Sequence, residues 1–164
     1  MDFSNQQPDP TIFPRFCGIS TYARLNLLDD KSTCDIAVVG IPFDSGVTFR
    51  PGARFGPESI RVNSRLIRNY SINHLKSPFK DKIICDAGDI ATNPFNIHQS
   101  IDKISNDLDS LFKRSNNLIV LGGDHTISYP VLRSVNKKHG KVALVHFDSH
   151  FDTWDEYFGE KCTH

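Results

Sequence analysis

The chain has 164 residues, enough for one domain with a hydrophobic core, and its composition is ordinary for a globular protein rather than a disordered or fibrous one. Lys plus Arg and Asp plus Glu number 19 each, so no net field attracts nucleic acid or an anionic membrane surface. No stretch reaches the roughly 18 apolar residues that a membrane span needs. We therefore expect no nucleic-acid or membrane partner, and any other partner must be inferred from a site.

The cysteines and the first residues indicate the compartment. The four cysteines are scattered without a CxxC pair, which argues against a zinc ribbon and gives no sign of a disulfide framework: Cys17, Cys34, Cys85 and Cys162. The N-terminus has an early aspartate, several prolines and no apolar segment, unlike a secretory signal or an Arg-rich transit peptide. These features predict a cytoplasmic protein and leave a mitochondrial location open.

The elements begin after a polar N-terminal segment. Residues 1–33 are rich in Pro, Asp, Asn and Ser and lack periodicity, which predicts an extended arm with one short helix. Residues 34–41 form an Ile- and Val-rich run closed by Pro42, as expected for a strand buried on both faces. Similar apolar runs predict three more strands, at residues 83–85, 118–121 and 142–147.

Helical patterns separate the predicted strands. Pro57 suits the first turn of a helix that runs to about residue 69, and residues 126–138 predict another. Between them, apolar residues at steps of three and four form one stripe over residues 97–112. This alternation predicts an α/β fold of three layers, α/β/α, with a mostly parallel sheet. In such folds, functional groups collect beyond the carboxyl ends of the strands.

The strongest chemical signal follows the fourth predicted strand. Alternate side chains of an extended backbone share one face, so four side chains at steps of two could point to one side: His146, Asp148, His150 and Asp152. Their imidazole nitrogens and carboxylate oxygens suit Mn, Zn, Fe or Ni, and the absence of a nearby thiolate argues against a structural zinc site. A single His-x-Asp often only caps a helix or satisfies buried backbone, but the set of four favours a metal site.

A second signal, Leu-Gly-Gly-Asp-His-Thr, lies where the third predicted strand meets a helix. Its two glycines permit a tight turn, and Asp124 and His125 are delivered to the same edge of the sheet as Asp148. Alternatively, Asp124 or Thr126 only caps the next helix and His125 is an ordinary loop histidine. Because both motifs follow predicted strands, we favour one shared site.

Both motifs resemble those of a known enzyme family. GGDHTISYP and HFDSHFDTWDEYFGEKCTH are similar to the two N-terminal metal signatures of the ureohydrolases, the arginase/agmatinase family, which usually read GGDHS and HFDAHxD. Residues 46–61, GVTFRPGARFGPESIR, resemble the agmatinase and guanidinobutyrase branch more than arginase itself. The likeness runs from about Cys17 to the last residue, and the departures at Thr126 and Ser149 are small.

The resemblance implies an arginase-like fold and a binuclear manganese site that hydrolyses a small guanidino substrate to urea and an amine. His125 would bind the first Mn²⁺, Asp148 would bridge both ions, and two further residues would bind the second and first ion respectively: His150 and Asp152. Asp124 would support the ligands, and His164 would transfer a proton or position the substrate. For the full-length protein the resemblance also implies a homo-oligomer.

Two metal ions explain how such a reaction proceeds. A guanidinium carbon is a poor electrophile because its positive charge is delocalised over three nitrogens. Metal ions about 3.5–4 Å apart can share one water and lower its pKa toward neutrality, which supplies the strong nucleophile required.

Three arginines in the agmatinase-like segment have an alternative interpretation. Arg50, Arg54 and Arg61 could bind a phosphate or carboxylate ligand. However, neither GxxxxGK[ST] nor GxGxxG is present, and the resemblance indicates scaffold in this segment. We therefore favour a structural role for these arginines.

The family completes its site with two more aspartates from a later D-x-D motif that this sequence does not contain. We thus interpret residues 34–164 as the N-terminal half of a ureohydrolase domain that is incomplete at the C-terminus, and we expect weak binding of the second ion. Residues 142–147 would lie between strands that come later, so their apolar faces and edges would be exposed.

Two hypotheses stay open. The first is an agmatinase-like amidinohydrolase that is truncated before the second metal motif and active in its full-length form. The second is a catalytically inactive remnant that acts only as an interaction or regulatory partner of an intact homologue. Agmatine, 4-guanidinobutyrate and related compounds are candidate substrates, and the segment 46–61 makes arginine less favoured.

Overall fold

The computed structural model describes residues 6–163 and contains three parallel strands with helices on both faces. The elements in chain order are β1 (Cys34–Ile41), α1 (Gly56–Ser64), β2 (Ile84–Asp89), α2 (Ile97–Leu111), β3 (Ser115–Gly122) and α3 (Ser128–His139). Three short 3-10 helices accompany them, at Tyr22–Arg24, Ala53–Phe55 and His125–Ile127. The strand order is β2-β1-β3, and β1 pairs in parallel with both neighbours. The predicted three-layer α/β/α architecture with a parallel sheet is confirmed.

Strand β1 is central because its apolar residues face two cores. Successive side chains of a strand point to opposite faces, so a continuous apolar run serves both. On one face Val39 and Ile41 pack with residues of α2 such as Leu108. On the other face Val38 packs with Leu25 and with other buried residues, which include Ala23, Phe79, Ile84 and Leu121.

Helix α2 forms where the sequence predicts it, because a polar cap precedes an apolar stripe. The side chain of Asn96 accepts a hydrogen bond from the backbone N–H of Gln99 at 2.9 Å, which satisfies one free donor of the first turn. The stripe is buried at four positions one helical turn apart: Ile101, Ile104, Leu108 and Leu111. Helix α3 lies against α2, and Ser134 Oγ donates to the carbonyl of Ser105 at 3.1 Å.

Helix α1 is shorter than predicted. It ends at Ser64 because the chain continues as tight turns, in which the N–H of Ile67 donates to the carbonyl of Ser64 at 2.9 Å. The Ser64 hydroxyl also accepts from the N–H of Ala23 at 2.7 Å, so the end of the helix is joined to the N-terminal segment. Helix α3 likewise begins at Ser128, after a 3-10 turn, rather than at residue 126.

The described part of the predicted N-terminal arm packs against the domain. Gln6 Nε2 donates to the carbonyl of Phe79 at 2.6 Å, and Gln6 Oε1 accepts from the N–H of Ile84 at 2.8 Å. Gln7 Nε2 donates to the carbonyl of Ala23 at 2.7 Å. The short helix expected in this segment lies at Tyr22–Arg24, and the segment contributes core side chains as well as surface.

A buried ion pair joins α1 to β2. The Arg61 guanidinium donates from Nε and Nη2 to the two carboxylate oxygens of Asp86, at 2.8 and 3.0 Å, and from Nη1 to Asp89 at 2.5 Å. Asp86 also accepts from the N–H of Tyr22 at 2.6 Å. Both Arg61 and Asp86 are buried. Burial alone would lower the pKa of Arg61, but the two carboxylates hold it above its usual value.

The predicted fourth strand is not formed. Residues 142–148 have no strand assignment, and within the described residues β3 pairs only with β1. A strand requires a neighbour that satisfies its N–H and C=O groups, and none lies beside this segment in the described chain. Its apolar side chains are exposed, as expected for a strand without neighbours: Val142, Leu144, Val145 and Phe147. Between residues 6 and 163, no helix is both long and apolar enough to cross a membrane.

Candidate metal centre

The turn after β3 is fixed by contacts that only glycine allows. Gly123 has φ of +58°, in the left-handed region that favours glycine. A Cβ at this position would lie 2.5 Å from the carbonyl oxygen of Ile41 and 2.8 Å from that of Phe43. The turn is therefore pressed against the end of β1, as the two glycines of the motif predict.

Asp124 has the capping role that the sequence leaves open. Its Oδ1 accepts from the N–H of Thr126 at 3.0 Å and caps the short helix His125–Ile127. Its Oδ2 accepts from the N–H of Gly46 at 2.9 Å, in the loop that follows β1. These bonds fix the backbone on both sides of His125 and direct that residue toward the segment that follows α3.

Four side chains meet at this edge of the sheet. His125 Nδ1 lies 2.6 Å from Asp152 Oδ2 and 3.4 Å from Asp148 Oδ2. His146 Nε2 lies 3.5 Å from the same Asp148 oxygen and 3.7 Å from the same Asp152 oxygen. One ligand atom from each of the four residues lies within 4.8 Å of the others. The structure thus brings together His125, Asp148 and Asp152, as the sequence predicts, with His146, which the strand pattern also places on this face.

His150 lies at the margin of this group. Its side chain is 83% exposed, and its Nδ1 is 3.4 Å from Asp148 Oδ1 rather than beside the shared oxygens. The backbone is not extended through this segment, because it bends at residues 149–150 and Asp152 has φ of +53°. Side chains at steps of two therefore do not all share one face. His164, the predicted catalytic histidine, lies outside the described residues.

His146 is the residue that the family resemblance does not assign to the metal. Its two-residue spacing from Asp148 is the signal that places it on the ligand face, and the structure puts its ring 4.9 Å from that of His125, centroid to centroid.

Asp148 is ionised in a way that suits a metal ligand. The backbone N–H of His150 donates to Asp148 Oδ1 at 2.9 Å and is the largest cause of a lowered Asp148 pKa. The nearby imidazoles of His125 and His146 lower this pKa further when they are protonated. Asp148 is therefore a carboxylate at neutral pH, and its partly exposed oxygens are accessible to an ion.

The donor set fits a divalent transition metal. Two carboxylates balance the charge of one divalent ion, and two imidazole nitrogens complete a set of the type that Mn, Zn or Fe accepts. Two carboxylates do not balance two divalent ions, so the described residues fit one ion better than two.

The fold and this cluster define a parallel α/β domain with a candidate metal centre at the carboxyl ends of its strands, and comparisons with known proteins show the family of the domain. The model of the arginase family matches residues 34–164. The chain belongs to the arginase family, which confirms the family predicted from its motifs.

Individual relatives support this assignment. The chain is 43% identical to a guanidinobutyrase of Pseudomonas aeruginosa over 154 residues, which are 92% of this chain and 48% of that protein. It is 38% identical to a mitochondrial agmatinase of Gallus gallus over 160 residues, or 98% and 47%. The solved proclavaminate amidino hydrolase of Streptomyces clavuligerus superposes with a TM-score of 0.87 at 38% identity, over 92% of this chain and 50% of that one. The chain spans about half the length of the curated relatives that it matches.

Proposed function

We propose that the protein is a manganese-dependent amidinohydrolase that converts a small guanidino compound to urea and an amine. The observation that carries this proposal is the convergence of His125, Asp148 and Asp152 at the carboxyl edge of a parallel sheet. The relatives support the reaction type, because their names are those of enzymes that hydrolyse guanidino compounds.

The residues of this chain have distinct roles in the proposal. His125 and Asp152 would hold the first ion, His150 would hold the second, and Asp148 would contribute its carboxylate to both. Bound manganese would lower the pKa of a water and so would supply the nucleophile that a guanidinium carbon requires. His150 is close enough to Asp148, at 3.4 Å, for a side-chain rotation to direct it toward a second ion. We further propose that His164 provides the proton that the departing amine requires.

We propose 4-guanidinobutyrate as the first substrate to test and agmatine as the second. The order follows the relatives, since the guanidinobutyrase shares 43% of aligned residues and the agmatinase 38%. A homo-oligomer is part of the proposal for the full-length protein. The predicted cytoplasmic location also stays a proposal, beside a mitochondrial one that is supported by the described location of the Gallus gallus relative.

Urea release tests this proposal. The substrates are 4-guanidinobutyrate, agmatine and arginine, each with and without added Mn²⁺. The proteins are the 164-residue chain and a version extended by the coding sequence that follows the His164 codon. We expect manganese-dependent urea release by the extended version, with arginine the poorest substrate, and little release by the short chain.

Three other outcomes are informative. A folded extended protein that binds manganese and releases no urea from any guanidino compound would contradict the proposed activity. A stop codon directly after His164 would favour the inactive remnant. Efficient turnover by the 164-residue chain would contradict the interpretation that its metal site is incomplete.

A further inference from the structure

We infer that Asp44, a residue outside the metal cluster, is a positioning residue that holds the metal ligand His125 in place through the loop that follows β1. This inference rests on the proposed function for the role of His125. Its physical basis is a series of hydrogen bonds that runs from the Asp44 carboxylate through this loop to Asp124, the residue before His125.

The Asp44 carboxylate connects the start of the loop to its end through hydrogen bonds. It is completely buried and accepts from the N–H of Gly52 at 2.6 Å and from the N–H of Arg54 at 3.2 Å. It also accepts from Arg54 Nε at 2.5 Å and forms an ion pair with Arg54 Nη2. The Arg54 side chain is the largest cause of the lowered pKa of Asp44, so Asp44 is ionised and these bonds are charge-assisted.

The closed loop contacts the His125 turn near both of its ends. Near its start, the N–H of Gly46 donates to Asp124 Oδ2 at 2.9 Å, and the N–H of Asp124 donates to the carbonyl of Phe43 at 2.7 Å. Near its end, the N–H of Gly123 lies 3.4 Å from the carbonyl of Ala53. Asp44 binds the backbone of Gly52 and Arg54, and these residues flank Ala53, which contacts the turn. The loop residues that Asp44 holds are therefore adjacent to a residue that holds the turn.

The turn has little space in which to move independently of the loop. A Cβ on Gly123 would meet backbone oxygens of Ile41 and Phe43, and one on Gly56 would lie 2.5 Å from the carbonyl oxygen of Gly122. Because the backbones are in such close contact, a loosened loop shifts the turn, and His125 with it. A partner that orients a metal ligand in this way affects metal affinity as well as stability.

A purely structural role for Asp44 is the alternative, and Asp86 provides the matched control. Asp86 is also fully buried, and an arginine and a backbone N–H also pair with it. Its contacts reach α1 and the N-terminal segment through Arg61 and Tyr22, whereas those of Asp44 reach the loop beside His125. Loss of either carboxylate removes a buried charge that pairs with an arginine, but of the two only Asp44 is linked to the metal ligand.

The test compares Asp44→Asn with Asp86→Asn in the full-length protein. Manganese affinity is measured by titration, with the electron paramagnetic resonance signal of free Mn²⁺ as the readout. Thermal unfolding of the metal-free proteins reports stability. We expect both variants to unfold at lower temperature and Asp44→Asn alone to weaken Mn²⁺ binding, by about 10- to 100-fold. The visible absorption of bound Co²⁺, which reports ligand geometry, should change in Asp44→Asn and not in Asp86→Asn.

A milder variant keeps the test decisive if Asp44→Asn does not fold. Arg54→Gln retains a neutral donor at a partly exposed side chain and should weaken Mn²⁺ binding by less than Asp44→Asn does. Wild-type Mn²⁺ affinity and an unchanged Co²⁺ spectrum in the folded Asp44 or Arg54 variant would overturn the inference. Equal weakening by Asp86→Asn would also overturn it. If the wild-type protein binds no manganese, the proposed function and this inference both fail, whereas unchanged binding in the variants removes the inference alone.

Discussion

Asp148→Asn is expected to lower kcat/KM for urea release by about 10³-fold in the full-length protein and to weaken manganese binding. Loss of a group that only orients a ligand costs about 10- to 100-fold, and a carboxylate that contacts the ions directly should cost more. In the structure Asp148 is the common neighbour of His125, His146 and His150. The asparagine has almost the same shape but lacks the negative charge, so the change tests the charge rather than the packing. Steady-state urea release and a Mn²⁺ titration measure the two effects.

The matched control is Asp155→Asn. Asp155 lies three residues after Asp152, is exposed and pairs only with Lys161 among the contacts of the described chain, at 3.1 Å. We expect its loss to leave kcat/KM within about two-fold, because exposed ion pairs contribute little. Equal activity of Asp148→Asn and the wild type would mean that the cluster is not the reacting site.

Arg61→Ala is expected to destabilise the fold by about 3–5 kcal/mol, the cost of leaving a buried carboxylate without its partner. Arg61 forms two hydrogen bonds to Asp86 and one to Asp89, and its Nη2 also donates to the carbonyl of Gly88 at 2.8 Å. The substitution leaves the Asp86 charge in the core and disconnects α1 from β2. Chemical denaturation followed by circular dichroism measures the free energy of unfolding.

Lys103→Ala is the control for this prediction. Lys103 pairs with Asp107 one turn further along α2, and both side chains are substantially exposed. Such a pair contributes about 0.3–0.5 kcal/mol. A loss for Arg61→Ala no larger than that for Lys103→Ala would show that the buried network does not stabilise the fold.

The elements that the sequence predicts well are those whose signals are local. The bounds of β1 are as predicted, since an Ile- and Val-rich run closed by Pro42 is complete within eight residues. Helix α2 carries its own cap at Asn96 and its own stripe. The segment 142–147 has the same local composition as a strand, but pairing depends on a neighbour that periodicity cannot reveal. Its exposed side chains show that an apolar run predicts a strand only where a partner strand is present.

The candidate site also has residues whose positions local sequence signals predict and residues whose positions they do not. His125, Asp148 and Asp152 could be predicted because residues that follow parallel strands are collected at one edge. The outward position of His150 could not, since the backbone bends at residues 149–150 and the strand pattern does not signal that bend. The Asp44–Arg54 contact was also missed as a supporting element. Nothing in the sequence shows which buried carboxylate an arginine will meet.

The most direct test of the proposed metal centre is anomalous X-ray diffraction at the manganese absorption edge, from crystals of the full-length protein grown with Mn²⁺. We expect an anomalous peak in direct contact with the side chains of His125, Asp148 and Asp152, beyond the carboxyl ends of β1 and β3. Two results from crystals of active protein would contradict the proposed metal centre. In one, manganese lies only elsewhere; in the other, these three side chains point away from the ion.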